Sequence, residues 1–145
     1  MDKQIIKNII IEKQVAIPNY KLIHRDFLFG DKSNYILVGL RRAGKSYLLY
    51  QDIQTRLQKG EQSAQDILYI NFEDERLSSL KAEELGIILD SYMELYPGKQ
   101  PLIYLDEIQN VEGWEKFARR LADSQYRVMI TGSNAKMLGK EMYST

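Results

Sequence analysis

Residues 39–46 of the chain read Gly-Leu-Arg-Arg-Ala-Gly-Lys-Ser, which is a complete G-x-x-x-x-G-K-[ST] pattern. An apolar run, Tyr35–Val38, precedes the pattern, and a segment from about Lys45 to Lys59 with an apolar residue at every fourth position follows it. This order predicts a strand, a loop and a helix. The two glycines let the loop bend so that successive backbone N–H groups converge on phosphate oxygens, and the helix directs its positive end toward them. The stretch therefore predicts a loop that binds the phosphates of a nucleoside triphosphate.

The side chains of this loop have separate expected roles. Lys45 should reach the β- and γ-phosphates and serve catalysis as a positive charge, and the Ser46 hydroxyl should coordinate Mg²⁺. The ring of Tyr47 is expected to pack against the protein rather than to stack on a base. The residues expected to contact the nucleotide are the loop and the residue that follows it: Gly39, Leu40, Arg41, Arg42, Ala43, Gly44, Lys45, Ser46 and Tyr47.

The composition narrows the classes of protein to which the chain can belong. It has 145 residues, of which 44% are hydrophobic and 28% charged, as expected of a globular domain. The 20 basic and 20 acidic residues cancel, so no overall field attracts nucleic acid or an anionic membrane. The absence of cysteine excludes disulfides and thiolate sites. With no secretion signal and no apolar stretch of roughly 20 residues, the expected location is cytoplasmic, away from the membrane.

Strand and helix patterns alternate along the chain. The predicted strands are Tyr35–Val38, Ile67–Phe72, Leu102–Leu105 and Arg127–Thr131, and helical apolar patterns lie between them, the last from about Glu112 to Asp123. This alternation predicts an α/β fold with three layers, a parallel sheet flanked by helices, and ligands bound at the carboxyl ends of the strands. Residues 1–34, which include a helix with an isoleucine stripe, are expected to pack on a nucleotide-binding core formed by residues 35–145.

Polar residues follow two of the later strands. Asp106 and Glu107 come directly after Leu102–Leu105, and the sequence Ser133-Asn134 follows the last strand. Asp106 is expected to hold Mg²⁺ directly or through water, and Glu107 to orient and deprotonate the attacking water. Ser133 or Asn134 is expected to hydrogen-bond the γ-phosphate or that water and so to take part in catalysis. A solvated, helix-starting Glu107 is the alternative reading of that residue.

Together these stretches resemble a known class. The sequences Gly-Leu-Arg-Arg-Ala-Gly-Lys-Ser, Asn-Phe-Glu-Asp-Glu-Arg-Leu, Tyr-Leu-Asp-Glu-Ile-Gln, Gly-Trp-Glu-Lys-Phe and Ile-Thr-Gly-Ser-Asn-Ala resemble the AAA+ P-loop NTPases, in particular a prokaryotic family whose ATPase domain precedes a C-terminal domain of unknown function. The resemblance spans about Tyr35 to the end. It implies that Ser133 or Asn134 is the nucleotide-sensing position and that the strand before the loop lies beside the fourth strand.

The chain departs from that class after Asn134. AAA+ domains continue with a fifth strand and a helical lid, and the chain stops at Thr145, so it resembles an N-terminal fragment that lacks both. The strand Tyr35–Val38 is then expected at an open edge, and the fragment alone is expected to hydrolyse ATP weakly. The implied partners are the C-terminal domain, further copies of the chain, and a protein or DNA target.

Four functions remain open at this point. The leading one is an ATPase that uses ATP and Mg²⁺ to change the conformation of an attached domain or partner. A slow switch, in which nucleotide occupancy carries the signal, uses the same residues. A P-loop kinase shares the loop, although the Asp106-Glu107 pair suits water activation better than transfer to an acceptor. A nucleotide-independent DNA-binding module is disfavoured by the zero net charge.

Overall fold

The structure is a computed structural model that describes residues 1–25, 29–30, 34–39 and 44–133. The described strands are β1 (Tyr35–Val38), β2 (Ile67–Asn71), β3 (Leu102–Asp106) and β4 (Arg127–Gly132). The described α-helices are α1 (Lys3–Ala16), α2 (Lys45–Gln58), α3 (Gly86–Leu95) and α4 (Glu115–Asp123). Strand and helix alternate from β1 onward, which confirms the predicted α/β fold.

The strands form one four-stranded sheet in the order β1-β4-β3-β2, and every neighbouring pair is parallel. The phosphate-loop strand β1 therefore lies beside β4, as the resemblance implied, and at one edge of the sheet that the described residues form. Because all four strands run in the same direction, their carboxyl ends meet along one side of the sheet. That side carries Gly39, Asp106 and Ser133.

Helices cover both faces of the sheet. Successive strand residues point to opposite faces, so each strand contributes to two cores. The core under α1, α3 and α4 contains the strand residues Leu68, Ile70, Ile103, Leu105, Val128 and Ile130. The core under α2 contains the intervening residues Ile67, Tyr69, Tyr104 and Met129. Burial on both faces explains why the strands read as nearly continuous apolar runs rather than as alternating ones.

The N-terminal helix α1 packs on the sheet and on α3. Asp2 caps its first turn by accepting a hydrogen bond from Gln4 N at 2.8 Å. Isoleucine is a weak helix former, but full burial of each such side chain contributes about 1.5–3 kcal/mol, and tertiary packing therefore decides the conformation. The Gln14 amide donates to Ile67 O of β2 at 2.9 Å. The buried isoleucines of α1 are Ile6, Ile9 and Ile10.

Several element boundaries differ by one to three residues from the predicted ones: β3 and β4 each extend one residue further, and α2 ends one residue earlier. The predicted helix from about Glu112 begins at Glu115, because Gly113 adopts a left-handed conformation, with φ +85°, that interrupts the helical backbone. The strand predicted to end at Phe72 ends at Asn71, although Phe72 N still donates to Asp106 O at 2.9 Å.

Within the described ranges, no helix combines the length and the apolar composition that a membrane span requires.

Candidate functional site

The candidate site lies where the carboxyl ends of β1, β3 and β4 meet the amino end of α2. Gly44 caps α2 and has φ +90° and ψ 10°, a left-handed conformation that glycine adopts without steric cost. The first residues of α2 follow at once, so the positive end of the helix faces the site. The glycine that the pattern requires thus makes the turn between the loop and its helix.

Lys45 joins all three strand ends through its buried ammonium group. Its Nζ donates to Gly39 O at 3.2 Å, after β1, and to Ser133 Oγ at 3.1 Å, after β4. It also lies 3.7 Å from Glu107 Oε1, after β3. The ammonium therefore lies at the point where these three strand ends meet, and it could contact an anion bound there.

Asp106 is fully buried and accepts hydrogen bonds from three hydroxyl groups. Ser46 Oγ donates to its Oδ2 at 2.6 Å, the Tyr69 hydroxyl donates to the same oxygen, and Thr131 Oγ1 donates to Oδ1. A carboxylate has about four lone-pair positions, so these donors fill three of them. The sequence prediction placed Ser46 and Asp106 at one Mg²⁺ site, and the fold brings these two side chains into direct contact.

Tyr69 is buried and contacts a second, partly buried phenol, that of Tyr50. Its hydroxyl lies 3.2 Å from the Tyr50 hydroxyl. Burial, followed by the nearby Asp106 charge, raises the pKa of Tyr69 well above its ordinary value, and burial raises the pKa of Tyr50 to about 12. The raised pKa extends the pH range in which Tyr69 keeps its hydrogen and donates to the carboxylate above the ordinary phenol pKa of about 10.

Glu107 is buried, unlike the solvated residue of the alternative reading. Its backbone is left-handed, with φ 56° and ψ 47°, which costs a residue with a Cβ about 1–2 kcal/mol. Glu107 N donates to Thr131 Oγ1 at 2.9 Å, and Glu107 O accepts from Asn110 Nδ2 at 2.9 Å. Hydrogen bonds on both sides thus hold the residue in this conformation.

Two donors hold the carboxylate of Glu107. Ser133 Oγ lies 2.7 Å from Oε1 and 2.9 Å from Oε2, and Gln109 Nε2 donates to Oε2 at 2.6 Å. Since Ser133 Oγ also accepts from Lys45, the serine hydroxyl links the ammonium to the carboxylate. The structure thus brings together Lys45, Glu107 and Ser133, which the sequence placed in one catalytic group.

The other predicted residues divide into two sets. The Tyr47 ring is 58% exposed and contacts the Tyr50 ring edge-on at 5.9 Å, so it packs only in part. The remaining predicted contacts lie outside the described residues: Leu40, Arg41, Arg42, Ala43 and Asn134.

Sequence reasoning missed three residues whose side chains donate to the predicted carboxylates. Tyr69 and Thr131 are residues with hydroxyl groups inside otherwise apolar strands, Tyr69 in the middle of β2 and Thr131 one residue before the end of β4, and this pattern could have indicated them. Gln109 follows Glu107 by two residues in a short 3-10 helix, Ile108–Asn110, where no periodic pattern identifies a functional side chain.

Comparisons with curated proteins find relatives of the chain. The chain is 38% identical to an uncharacterized protein of Methanocaldococcus jannaschii over 98% of the chain, which covers 31% of that protein. It is 39% identical to an uncharacterized protein of Haemophilus influenzae over 74% of the chain, which covers 27% of that protein. The chain thus spans less than a third of the length of these curated relatives.

No solved structure matches the chain significantly. Residues 31–145 match the AAA domain family, and this range includes the phosphate loop, the Asp106-Glu107 pair and Ser133. Family membership indicates a nucleotide-binding ATPase. The chain therefore belongs to the AAA domain family.

Proposed function

We propose that the chain binds ATP with Mg²⁺ at the candidate site and hydrolyses it to change the conformation of an attached domain or partner. The observation that carries the proposal is the direct contact of Ser46 with the buried Asp106, 2.6 Å apart, beside the Lys45 ammonium. A hydroxyl, a carboxylate and a cation at a helix amino end are the groups that a magnesium nucleotide requires. The length of the relatives beyond the matched region supports an attached domain as the part that moves.

The direction of the hydrogen bonds suits Mg²⁺. Ser46 donates its hydrogen to Asp106, so the lone pairs of the serine oxygen remain for the metal. Asp106 keeps one lone-pair position after accepting from three hydroxyls, which suits a hydrogen bond from a metal-bound water. When bound, Mg²⁺ would neutralise charge on the β- and γ-phosphate oxygens. Ser46 would therefore be the direct protein ligand, and Asp106 would act through water.

Glu107 is the proposed general base. Its carboxylate lies next to Lys45 and Ser133, the two side chains proposed to contact the γ-phosphate. A carboxylate in that position can orient a water molecule and accept its proton as the water attacks the phosphorus in line. Lys45 would move from Glu107 to the phosphates, which would leave the carboxylate available to the water.

Phosphate release by the full chain tests this assignment. Wild-type protein should release phosphate from Mg-ATP, and Glu107→Gln should bind the nucleotide but turn over about 100- to 10,000-fold more slowly. Glu61→Gln is a matched control, because it makes the same exchange of a carboxylate for an amide at an exposed residue, beyond the end of α2 that lies away from the site. Equal turnover of wild type and Glu107→Gln would remove Glu107 from the mechanism.

A slow switch is the second candidate, and the Lys45–Glu107–Ser133 contacts favour it. They satisfy the ammonium and the carboxylate without a nucleotide, so hydrolysis requires that these contacts first separate. Tight Mg-ATP binding by the full-length protein with turnover below about 0.001 per second, the range of unassisted switch GTPases, would identify this behaviour. Faster turnover by the full-length protein would support the ATPase.

A further inference from the structure

The side-chain amide of Gln109 lies between the tips of β3 and β4. Its Nε2 donates to Glu107 Oε2 at 2.6 Å, and its Oε1 accepts from Ser133 N at 3.3 Å. One planar group thus contacts both the proposed base and the backbone of the proposed γ-phosphate contact. Neither the phosphate-loop pattern nor the Asp106-Glu107 pair predicts these contacts of Gln109.

The orientation of this amide follows from the chemistry of its partners. An ionised carboxylate only accepts hydrogen bonds and a backbone N–H only donates them, so the nitrogen must face Glu107 and the oxygen must face Ser133. The reversed amide would place an oxygen against the carboxylate and an N–H against an N–H. Glu107 and Ser133 together therefore fix the orientation of the Gln109 amide.

The contacts of Glu107 differ in what happens to them when a nucleotide binds. Under the proposed function, Lys45 and the Ser133 hydroxyl turn toward the γ-phosphate, so both leave the carboxylate. The Gln109 amide has no such competing role and continues to donate to Oε2. It would then be the side-chain donor that holds the carboxylate while the water attacks.

We propose that Gln109 is a positioning residue for ATP hydrolysis, which orients the Glu107 carboxylate and fixes it relative to the tip of β4. The inference rests on the proposed function, because it needs Glu107 to be the base. Misplacement of a reacting group by about 1 Å costs on the order of 100-fold in rate, so loss of this donor should affect turnover more than binding. The hydrophobic anchor of the same turn is Ile108, which is fully buried, and Gln109 is only partly buried.

Kinetics of the full chain test the inference with two variants of Gln109. Gln109→Ala should lower kcat about 10- to 100-fold and leave the Kd for Mg-ATP within about 3-fold of wild type. Gln109→Glu keeps the size of the side chain but places a second carboxylate against Glu107, so its kcat should be at least as low, and its thermal melting temperature should fall because the two like charges repel. Gln100→Ala is the control, since Gln100 is exposed at the opposite end of β3 and donates only to Gln125 O.

A double-mutant comparison separates positioning from a structural role. In the Glu107→Gln background, Gln109→Ala should change the residual single-turnover rate by less than about 2-fold, because no carboxylate remains to be oriented. The inference would be overturned if Gln109→Ala lowered the rate by the same 10- to 100-fold factor in the Glu107→Gln background as in wild type. It would also be overturned if Gln109→Ala alone had the kcat of wild type, or if it weakened Mg-ATP binding by as large a factor as it lowered kcat. If wild-type protein neither binds nor hydrolyses ATP, the proposed function fails and the inference fails with it. If wild type is active and the Gln109 variants are equally active, only the inference fails.

Discussion

Lys45 Nζ lies 3.7 Å from Glu107 Oε1, and the side chains of the two residues are only 8% and 6% exposed. They are the proposed phosphate contact and the proposed base, and without a nucleotide each neutralises the other. Removing one member of such a buried pair leaves the other charge without compensation, which is more damaging than replacing both. Substitutions of Lys45 or Glu107 should therefore change the free energy of unfolding as well as the chemistry of the site.

The first prediction concerns this link. Lys45→Ala should lower the free energy of unfolding by about 3 kcal/mol, because Glu107 loses its buried cation. Adding Glu107→Gln to Lys45→Ala should recover much of that loss, since the buried negative charge is then absent. Urea unfolding of both variants measures the difference. A double variant no more stable than Lys45→Ala would show that the pair does not control stability.

The second prediction concerns Ser133. Its hydroxyl accepts from Lys45 and donates to Glu107, so Ser133→Ala should lower kcat about 10-fold while the fold is retained. Ser91→Ala is the control, because Ser91 on α3 is buried and its hydroxyl has no hydrogen-bond partner among the residues the structure describes. Unchanged turnover in Ser133→Ala would remove its hydroxyl from the proposed mechanism.

The third prediction concerns Tyr69. Tyr69→Phe removes one of the three hydroxyl donors to Asp106, and a hydrogen bond to a charged group contributes about 1.5–3 kcal/mol to stability. Tyr92→Phe is the control, because its hydroxyl donates to the neutral Gln65 O and its loss should cost about 1 kcal/mol. Urea unfolding at pH 7 compares the two.

The alkaline behaviour of Tyr69→Phe follows from the raised pKa of Tyr69. The folded state holds the phenolic proton more tightly than the unfolded state, whose pKa is about 10, so the contribution of Tyr69 is complete below pH 10 and decreases as the pH rises above it. The decrease is at most about 1.4 kcal/mol per pH unit for one phenol. The stability gap between wild type and Tyr69→Phe should therefore narrow above pH 10. A constant gap up to pH 11 would contradict the raised pKa.

The fourth prediction compares two left-handed glycines. Gly44→Ala and Gly60→Ala should each lose about 1–2 kcal/mol of stability, because their φ angles are +90° and +75°. Only Gly44→Ala should also weaken Mg-ATP binding, since a Cβ there would lie 2.5 Å from Arg25 Nη1 beside the phosphate loop, whereas one at Gly60 meets nothing within 4 Å. Equal nucleotide affinity of the two variants would contradict the role assigned to the turn at Gly44.

The sequence predicted the features that depend on strand order. The bounds of β1 are as predicted, and the contact of Ser46 with Asp106 follows from parallel strands that end at the same side of the sheet. The contacts of Gln109 could not be predicted, because they depend on the left-handed backbone of Glu107. That conformation arises from hydrogen bonds to Thr131 and Asn110, which no local pattern reveals.

Calorimetric titration of the full chain with Mg-ATP tests the central claim most directly. Wild-type protein should show saturable binding of one nucleotide per chain, and Lys45→Ala, verified as folded by circular dichroism, should show no binding at the same concentrations. Absence of binding by folded wild-type protein, or equal binding by Lys45→Ala, would contradict the assignment of this site to the triphosphate.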